Sequence, residues 1–499
     1  MTSRRKTALV VLVILAVVLI AAMVVVPRLA DLDRYRPEVI ARLEQSTGRS
    51  AAIGRLSLTV LPVLAVRADT IAIGNPPGFP EQPFLEIRRV HADLDLGALL
   101  HRRIVIRSLT LEDPVVNLVS NSAGRWNTES PPRPQIRPAA WETSPALAPA
   151  ISVTRVKLQN GRITACNELP AGGLAPPSFE ANGVSAELDD VNAEALGIHL
   201  AAADERRMQR ARAGLPWTVS IRPAVLIEAG LAVEPAGTAG LARPPGPLGG
   251  RGTFSAESVR VNAFRAGRLT SGVELYGGGV MLKGLALELA GGRVTGDLVW
   301  DSASQPARYA THLALANLDL ARLLNAVPSA GGTITGTLEG RLEVSGWNMP
   351  SADPLAGKQG TGNVTVRNGT LPTLQLNKNL MLLMKSVIKT GQASDDPSSF
   401  RSIAADLEIG GGEIRSRQVQ ILGNGVDVDA SGALALAGAG RLDYTGVSKI
   451  NARTTGFTGL IASALGSKMS ADGTVNLPFT LTGTLDRPHF GVKNSQFFH

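Results

Sequence analysis

The chain has 499 residues, a formal charge of +8 and an isoelectric point near 9.9, yet only 18% of its residues are charged and no long Lys/Arg tract is present. That profile argues against nucleic acid and points to anionic lipid as the partner of the positive charge. A single cysteine, Cys166, excludes an intramolecular disulfide, a Cys-based zinc site and an iron–sulfur cluster, while 4% aromatics beside 53 Gly and 31 Pro favour many short strands over one deep core.

From Ala8 to Val26 the chain reads ALVVLVILAVVLIAAMVVV, with no charge, Gly, Pro or hydroxyl. At 1.5 Å per residue this run extends roughly 28 Å, about the hydrocarbon thickness of a bilayer. Ala8, Leu12, Leu15, Leu19 and Val26 mark the expected membrane anchor. A cleaved signal peptide is the competing reading, since Arg4, Arg5 and Lys6 precede the run. Leu19 and Ile20 stand where an A-x-A site needs a small residue, which favours an uncleaved anchor. Arg28, Arg34, Arg36 and Arg42 nearly balance the basic N-terminus, so flanking charge alone does not set the orientation; a short cytoplasmic tail with a long translocated body is the default.

After the span, Leu32, Tyr35, Val39, Ile40 and Leu43 share one helical face, with Pro37 near the start and Gly48 as the stop. From Ile53 the period becomes strand-like, with breaks expected at Pro62, at Gly74 to Pro80 and at Asp113-Pro114. The order of elements TGR (Thr47 to Arg49), GNPPGF (Gly74 to Phe79) and VHADLDLGALLHRRIVIRSLTLEDPVVNLVSNSAGRWN (Val90 to Asn127), directly after a membrane helix, resembles the AsmA family. The resemblance implies a bacterial inner-membrane protein, single-pass, with a periplasmic body linked to outer-membrane biogenesis. It also implies kinship with chorein-type bridge proteins, whose curved β-sheet carries lipid acyl chains in an apolar groove.

Six prolines between Pro131 and Ala150 predict a linker, and a second break is expected from Val233 to Gly250. Ile151 to Thr164 reads as a hairpin turning at Asn160-Gly161. Leu287 to Leu298, Val364 to Leu371 and Leu407 to Arg417 likewise place a Gly-containing turn between alternating runs. The basic loop Asp204 to Arg212 reads as a solvated insertion. Leu320, Leu323, Leu324 and Val327 predict a short helix. From Asn317 to the closing LPFTLTGTLDRPHF (Leu477 to Phe490) the chain again resembles the family.

The fold class expected is mainly β: an N-terminal transmembrane helix, then an elongated, curved antiparallel β-sheet forming a groove, with a few short amphipathic helices. The expected organisation is a tail and anchor to residue 27, an N-terminal region over 28–130, the linker 131–150, a middle region 151–316 and a C-terminal region 317–499.

No G-x-S-x-G, H-E-x-x-H or Walker A motif occurs, and the six histidines stand singly, so neither catalytic residues nor cofactors are expected. Asp427 and Asp429 begin a calcium-loop pattern, but Gly438 occupies the position that needs a bidentate Glu, so no metal site is expected and a half-exposed strand fits better. Between Leu374 and Lys389, Leu376, Leu380, Leu383, Met384, Val387 and Ile388 fall on one helical side and Lys378, Lys385 and Lys389 on the other. Such a helix suits a membrane interface or the cover of an apolar groove; packing on a core with a solvated lysine face is the plainer reading and the one favoured. Alternation at Val426, Val428, Leu434, Leu436, Leu477, Phe479 and Leu481 makes these the lipid-groove candidates.

The leading functional expectation is an anchored periplasmic protein that binds or transfers membrane phospholipid in envelope homeostasis. The alternative is a structural or regulatory factor for outer-membrane protein assembly, with other envelope proteins as partners. A hydrolase is disfavoured because no nucleophile–base pair is visible.

Overall fold

A computed structural model describes residues 32–59, 63–101, 104–121, 125–128, 151–169, 173–192, 241–304, 307–326, 331–347, 353, 355–371, 399–423, 426–438, 440–451, 470–485 and 487–492. The anchor at 8–26, the linker at 131–150, the basic insertion at 204–212 and the amphipathic stretch at 374–389 lie outside them. Among the described residues no helix is long and apolar enough to cross a membrane.

The protein is mainly β, with twenty strands among the described residues and only short helices. They fall into two compact units, made by the described residues of Met1–Arg222, Pro245–Asn262 and Gly272–Gly278, and of Pro223–Pro244, Ala263–Ser271 and Gly279–His499.

The first unit contains β1 (Ala51–Thr59), β2 (Ala65–Ile73), β3 (Leu85–Leu94), β4 (Ile104–Ser120), β5 (Ile151–Asn167), β6 (Phe179–Asp189), β7 (Leu248–Ala256) and β8 (Ser258–Val261). Strands β1 to β4 form an antiparallel meander. The sheet expected to be wholly antiparallel is not: β5 lies parallel to β4 along its whole length, from Ile104↔Ile151 to Ser120↔Asn167. A parallel neighbour needs a long crossover, and the thirty residues between Ser120 and Ile151 supply the necessary length. β6 then pairs with β5 and divides its other side between β7 and β8.

The outer edge of β1 is occupied. A 3-10 turn (Leu32–Tyr35) leads into helix α1 (Arg36–Thr47), which has Pro37 in its first turn and ends at Gly48 in the left-handed region (φ 67°). Arg36 Nη1 donates to the Gly54 carbonyl (2.7 Å), while the amides of Ala51 and Leu56 donate to Glu44 Oε1 (3.0 Å) and Asp33 Oδ1 (3.2 Å). These side chains satisfy backbone groups that an edge strand otherwise offers to another chain.

The second unit runs through β10 (Gly279–Leu289), β11 (Gly292–Asp301), β12 (Arg308–Asp319), β13 (Thr337–Trp347), β14 (Lys358–Thr370), β15 (Ser399–Gly410), β16 (Glu413–Gly423), β17 (Val426–Ala435), β18 (Arg441–Asn451), β19 (Thr474–Thr484) and β20 (Pro488–Val492). Each pairs antiparallel with the next in sequence. The residues of β9 (Phe264–Tyr276) are divided between the two units at Ser271.

Positive φ separates the turns that form from those that do not. At Ala290-Gly291 (φ 47° and 80°) and Gly411-Gly412 (φ 62° and 79°) two consecutive residues are left-handed, as a tight hairpin requires, and both expected hairpins are present. At Asn160 (φ 54°) and Asn368 (φ 51°) the following glycine is not left-handed. One such residue makes a bulge, not a reversal, so β5 and β14 run straight through the turns expected there. The break expected at Asp113-Pro114 is also absent: Asp113 (φ 48°) is absorbed inside the 17-residue β4. The break expected up to Gly250 ends earlier, because β7 begins at Leu248.

Candidate functional site

Residues paired directly across an antiparallel ladder share a face, so the register fixes what each side of the second unit presents. On β12, β13 and β14 one face carries Thr311, Val344 and Gly360, then Leu313, Leu342 and Gly362, then Leu315, Gly340 and Val364, and finally Leu318, Leu338 and Val366. The last of these rows continues through Ile403, Ile421, Val428 and Ser448 to Leu477. The row at Val364 continues through Ala405, Val419, Ala430, Gly446 and Phe479 to Val492. Eight neighbouring strands therefore present an apolar side in register.

The opposite side is polar. Arg341 faces Asn363 and Asp406, Glu343 faces Thr361 and Glu408, and Lys449 pairs with Asp429 at 2.8 Å. The glycines inside β13 and β14 all fall on the apolar side. A Cβ at Gly360 would lie 2.3 Å from the carbonyl oxygen of Glu343, so only glycine permits this approach of the strands. The apolar side thereby carries short side chains between flanking Leu and Val.

One end of the apolar side is closed. Asp319 caps helix α3 (Leu320–Leu324) by accepting from the Arg322 amide (3.1 Å), and this turns Leu320 inward. Val294, Leu318, Leu320, Leu338, Val366, Leu371 and Phe400 form a buried cluster, with Leu323 and Leu324 packed against it. Leu318, 1% exposed, contributes roughly 1.5–3 kcal/mol by burial alone. Away from that cluster Leu342, Val344, Leu407 and Ile409 are only half-buried.

The groove candidates from the sequence lie on this same side at its far strands. Val426 pairs with Ile450, Val428 with Ser448, Leu434 with Leu442, Phe479 with Gly446 and Leu481 with Tyr444. Val428, Leu477 and Phe479 are buried, the Phe479 ring stacking on Phe490 at 5.1 Å, whereas Val426, Leu434 and Leu481 are half-buried. Leu436 follows the last residue of β17 and belongs to no strand. The stretch β12 to β14, with half-buried Leu313, Leu342 and Val344, is not among the candidates. Its signal is the L-x-G-x-L-x-V alternation of Leu338, Gly340, Leu342 and Val344. Among the described residues no group of His, Cys, Asp and Glu could hold a metal ion.

The first unit has a different centre. Asn127 is fully buried, although asparagine is mostly a surface residue. Its Oδ1 accepts from the Val119 amide (2.9 Å), and its Nδ2 donates to the Asn117 carbonyl and to Asn75 Oδ1 (2.7 Å each). Asn75 Nδ2 donates in turn to the carbonyls of Pro80 and Gln82. Arg49 Nη2 donates to the Asn127 carbonyl at 2.5 Å, and its guanidinium lies 4.4 Å over the Phe84 ring. The three motifs TGR, GNPPGF and GRWN thus meet at one polar knot, a convergence that no local pattern reveals. A cleft of about 410 Å³ beside it is lined by Gly48, Arg49, Ser50, Asn75 and Phe79. Burial lowers the affinity of Arg49 for its proton. Glu81 lines the same cleft, and among the described residues the buried Nη1 of Arg49 has no hydrogen-bond partner.

The polar side of β1 to β6 is laced by ion pairs. Arg89 bridges Asp69 (3.3 Å) and Glu112 (2.9 Å), Arg155 meets Asp189 (2.6 Å), and Glu180 sits between Arg162 and Arg260 (2.7 Å each). Its reverse is apolar, as in the row Leu56, Ala68, Val90, Leu111, Leu158, Ala186 and Phe254.

Comparison with known families gives a match to the model of the AsmA family over residues 1–169 and 254–419. Residues 254–316, assigned above to a middle region, are inside the match, whereas the closing LPFTLTGTLDRPHF lies beyond it. No curated protein and no solved structure matches the chain.

Proposed function

Since the chain belongs to the AsmA family, we propose that it is a non-enzymatic protein of the bacterial cell envelope that binds or transfers phospholipid on an elongated β-groove. In this reading residues 8–26 anchor it in the inner membrane, the N-terminus is cytoplasmic and the β-rich body is periplasmic. The work it serves is outer-membrane biogenesis. The observation that carries the reading is the two-sidedness of the second unit, where one side of β12 to β19 is apolar in register and, among the described residues, α3 covers only part of it. An uncovered aliphatic surface in water is costly, and each CH₂ of an acyl chain laid on it is worth about 0.8 kcal/mol. Ten buried methylenes therefore outweigh several kcal/mol of lost lipid freedom.

Native mass spectrometry of the full-length protein extracted from membranes tests the reading. At least one phospholipid per chain is expected, and Leu342→Asp, which puts a charge on a half-buried position of the apolar side, should reduce that occupancy several-fold. A lipid-free protein that is folded and still sustains envelope integrity in cells would rule out lipid carriage.

A further inference from the structure

The apolar side is not uniform along its strands. Past the row of Thr311, Val344 and Gly360 the next row is Trp300, Tyr309, Gly346 and Lys358, the residues that pair across β11, β12, β13 and β14. Trp300 is 39% exposed, and Tyr309 and Lys358 are half-buried. Lys358 has no carboxylate within ion-pair distance among the described residues. Trp and Tyr are the side chains that sit where hydrocarbon meets water, because each joins an apolar ring to one polar group. An ammonium in the same row, across Gly346 from Tyr309, complements a phosphate. The other end of the same rows is the buried aliphatic cluster under α3.

We propose that this stretch holds one phospholipid in a fixed orientation, with its phosphate-bearing headgroup at Trp300, Tyr309 and Lys358 and its acyl chain running along β12 to β14 toward Leu318 and α3. The inference rests on the lipid-binding reading above and adds the direction and the headgroup end. The length agrees. From Tyr309 to Leu315 is six residues, about 20 Å at the rise of a strand, and an acyl chain in one leaflet occupies about 15 Å, half the hydrocarbon thickness. The polarity agrees as well, since the row sequence passes from indole, phenol and ammonium through Leu313, Leu342, Leu315 and Val364 to side chains with almost no exposure.

The test uses the full-length protein loaded with phosphatidylglycerol that carries a photoactivatable diazirine either in the headgroup or at the acyl terminus. Headgroup adducts are expected on Trp300, Tyr309 or Lys358, and acyl adducts between Leu313 and Leu318. Lys358→Gln should lower the ratio of anionic to zwitterionic phospholipid bound about fivefold, the factor given by about 1 kcal/mol of charge attraction per lysine. Acyl adducts at Trp300 with headgroup adducts near α3, or adducts confined to other strands, overturn this orientation while leaving lipid binding intact. An unchanged ratio in the Lys358 variant overturns the headgroup assignment. Protein that takes up no lipid in native mass spectrometry overturns both readings together.

Discussion

Both units contain the same short device, and they use it oppositely. In the first, β3 ends in Asp93-Leu94 and passes through Asp95 into helix α2 (Leu96–Leu100); in the second, β12 ends in Asn317-Leu318-Asp319 and passes into α3. Asp95 caps α2 through the Ala98 amide (3.0 Å) just as Asp319 caps α3. Yet Leu96 and Leu99 of α2 are 57% and 41% exposed, while Leu320 of α3 is 8% exposed and sits in the aliphatic cluster. The lesson is that a strand–Asp–helix corner specifies a local path but not a core. What the corner packs against decides whether it stabilises, and the first unit places its buried centre in the Asn127 knot instead.

The largest expected effect tests that displacement. Asn127→Ala strands the Val119 amide, the Asn117 carbonyl and Asn75 Oδ1 in a buried site, and each unpaired group costs about 1–3 kcal/mol. A loss of about 3–5 kcal/mol is expected, confined to the first unit. Hydrogen exchange should show β3, β4 and β5 losing protection while β12 to β19 keep theirs. Equal loss in both units would mean that the knot is not a local centre.

The next effect compares the corners directly. Leu320→Ala removes a buried side chain from a packed cluster and should cost about 2–4 kcal/mol. Leu96→Ala, the matching change on α2, should stay within about 0.5 kcal/mol. Urea unfolding of the two variants, followed by exchange at α2 and α3, measures both. A large loss at Leu96 would show that α2 is covered by something that its exposure here does not reveal.

Much of this was legible in the sequence, and the misses share one cause. Helix α1 with its Gly48 stop, the helix after Asn317 and the hairpins at Ala290-Gly291 and Gly411-Gly412 all follow from local chemistry, although Tyr35 and Val39 of the expected apolar face are exposed. Asn160-Gly161 carries the same letters as a tight turn, but the backbone there is held straight by partners distant in sequence. Asn160 Nδ2 donates to Asp113 Oδ1 at 2.6 Å, forty-seven residues away, and β5 is zipped to β4 on one side and β6 on the other. The parallel pairing itself left no mark in the pattern of β5, because a half-buried strand alternates in the same way whichever direction its neighbour runs. Register places Val426, Val428 and Phe479 on the apolar side that their alternation suggests, and it adds Leu342, where glycines thin the signal. The headgroup row was invisible, since Trp300, Tyr309 and, across Gly346, Lys358 are brought into one row only by register.

The smallest effect per residue is electrostatic, and it again divides the units. The four carboxyls held below their ordinary range among the described residues, Asp69, Asp95, Asp113 and Glu180, all belong to the first. Asp113 is held low by the hydrogen bond from Asn160 and then by Arg88, and Asp95 by the Ala98 amide and then Arg107. Glu180 is held low by Arg260 and then Asn182. For Asp69 desolvation acts upward, but the bonds from Arg89 and Arg67 outweigh it. A carboxyl with a lowered folded pKa contributes stability that is complete above its unfolded pKa, about 4, and is lost as pH falls through the lower folded value. Acid should therefore loosen the first unit before the second once the pH drops below about 4. Deuterium pulses at stepwise lower pH, corrected for intrinsic exchange rates, should show β3 to β6 opening ahead of β12 to β19, and less so with salt added, because these groups are largely exposed and screened. Simultaneous opening of both units would place the acid-sensitive groups outside these ion pairs.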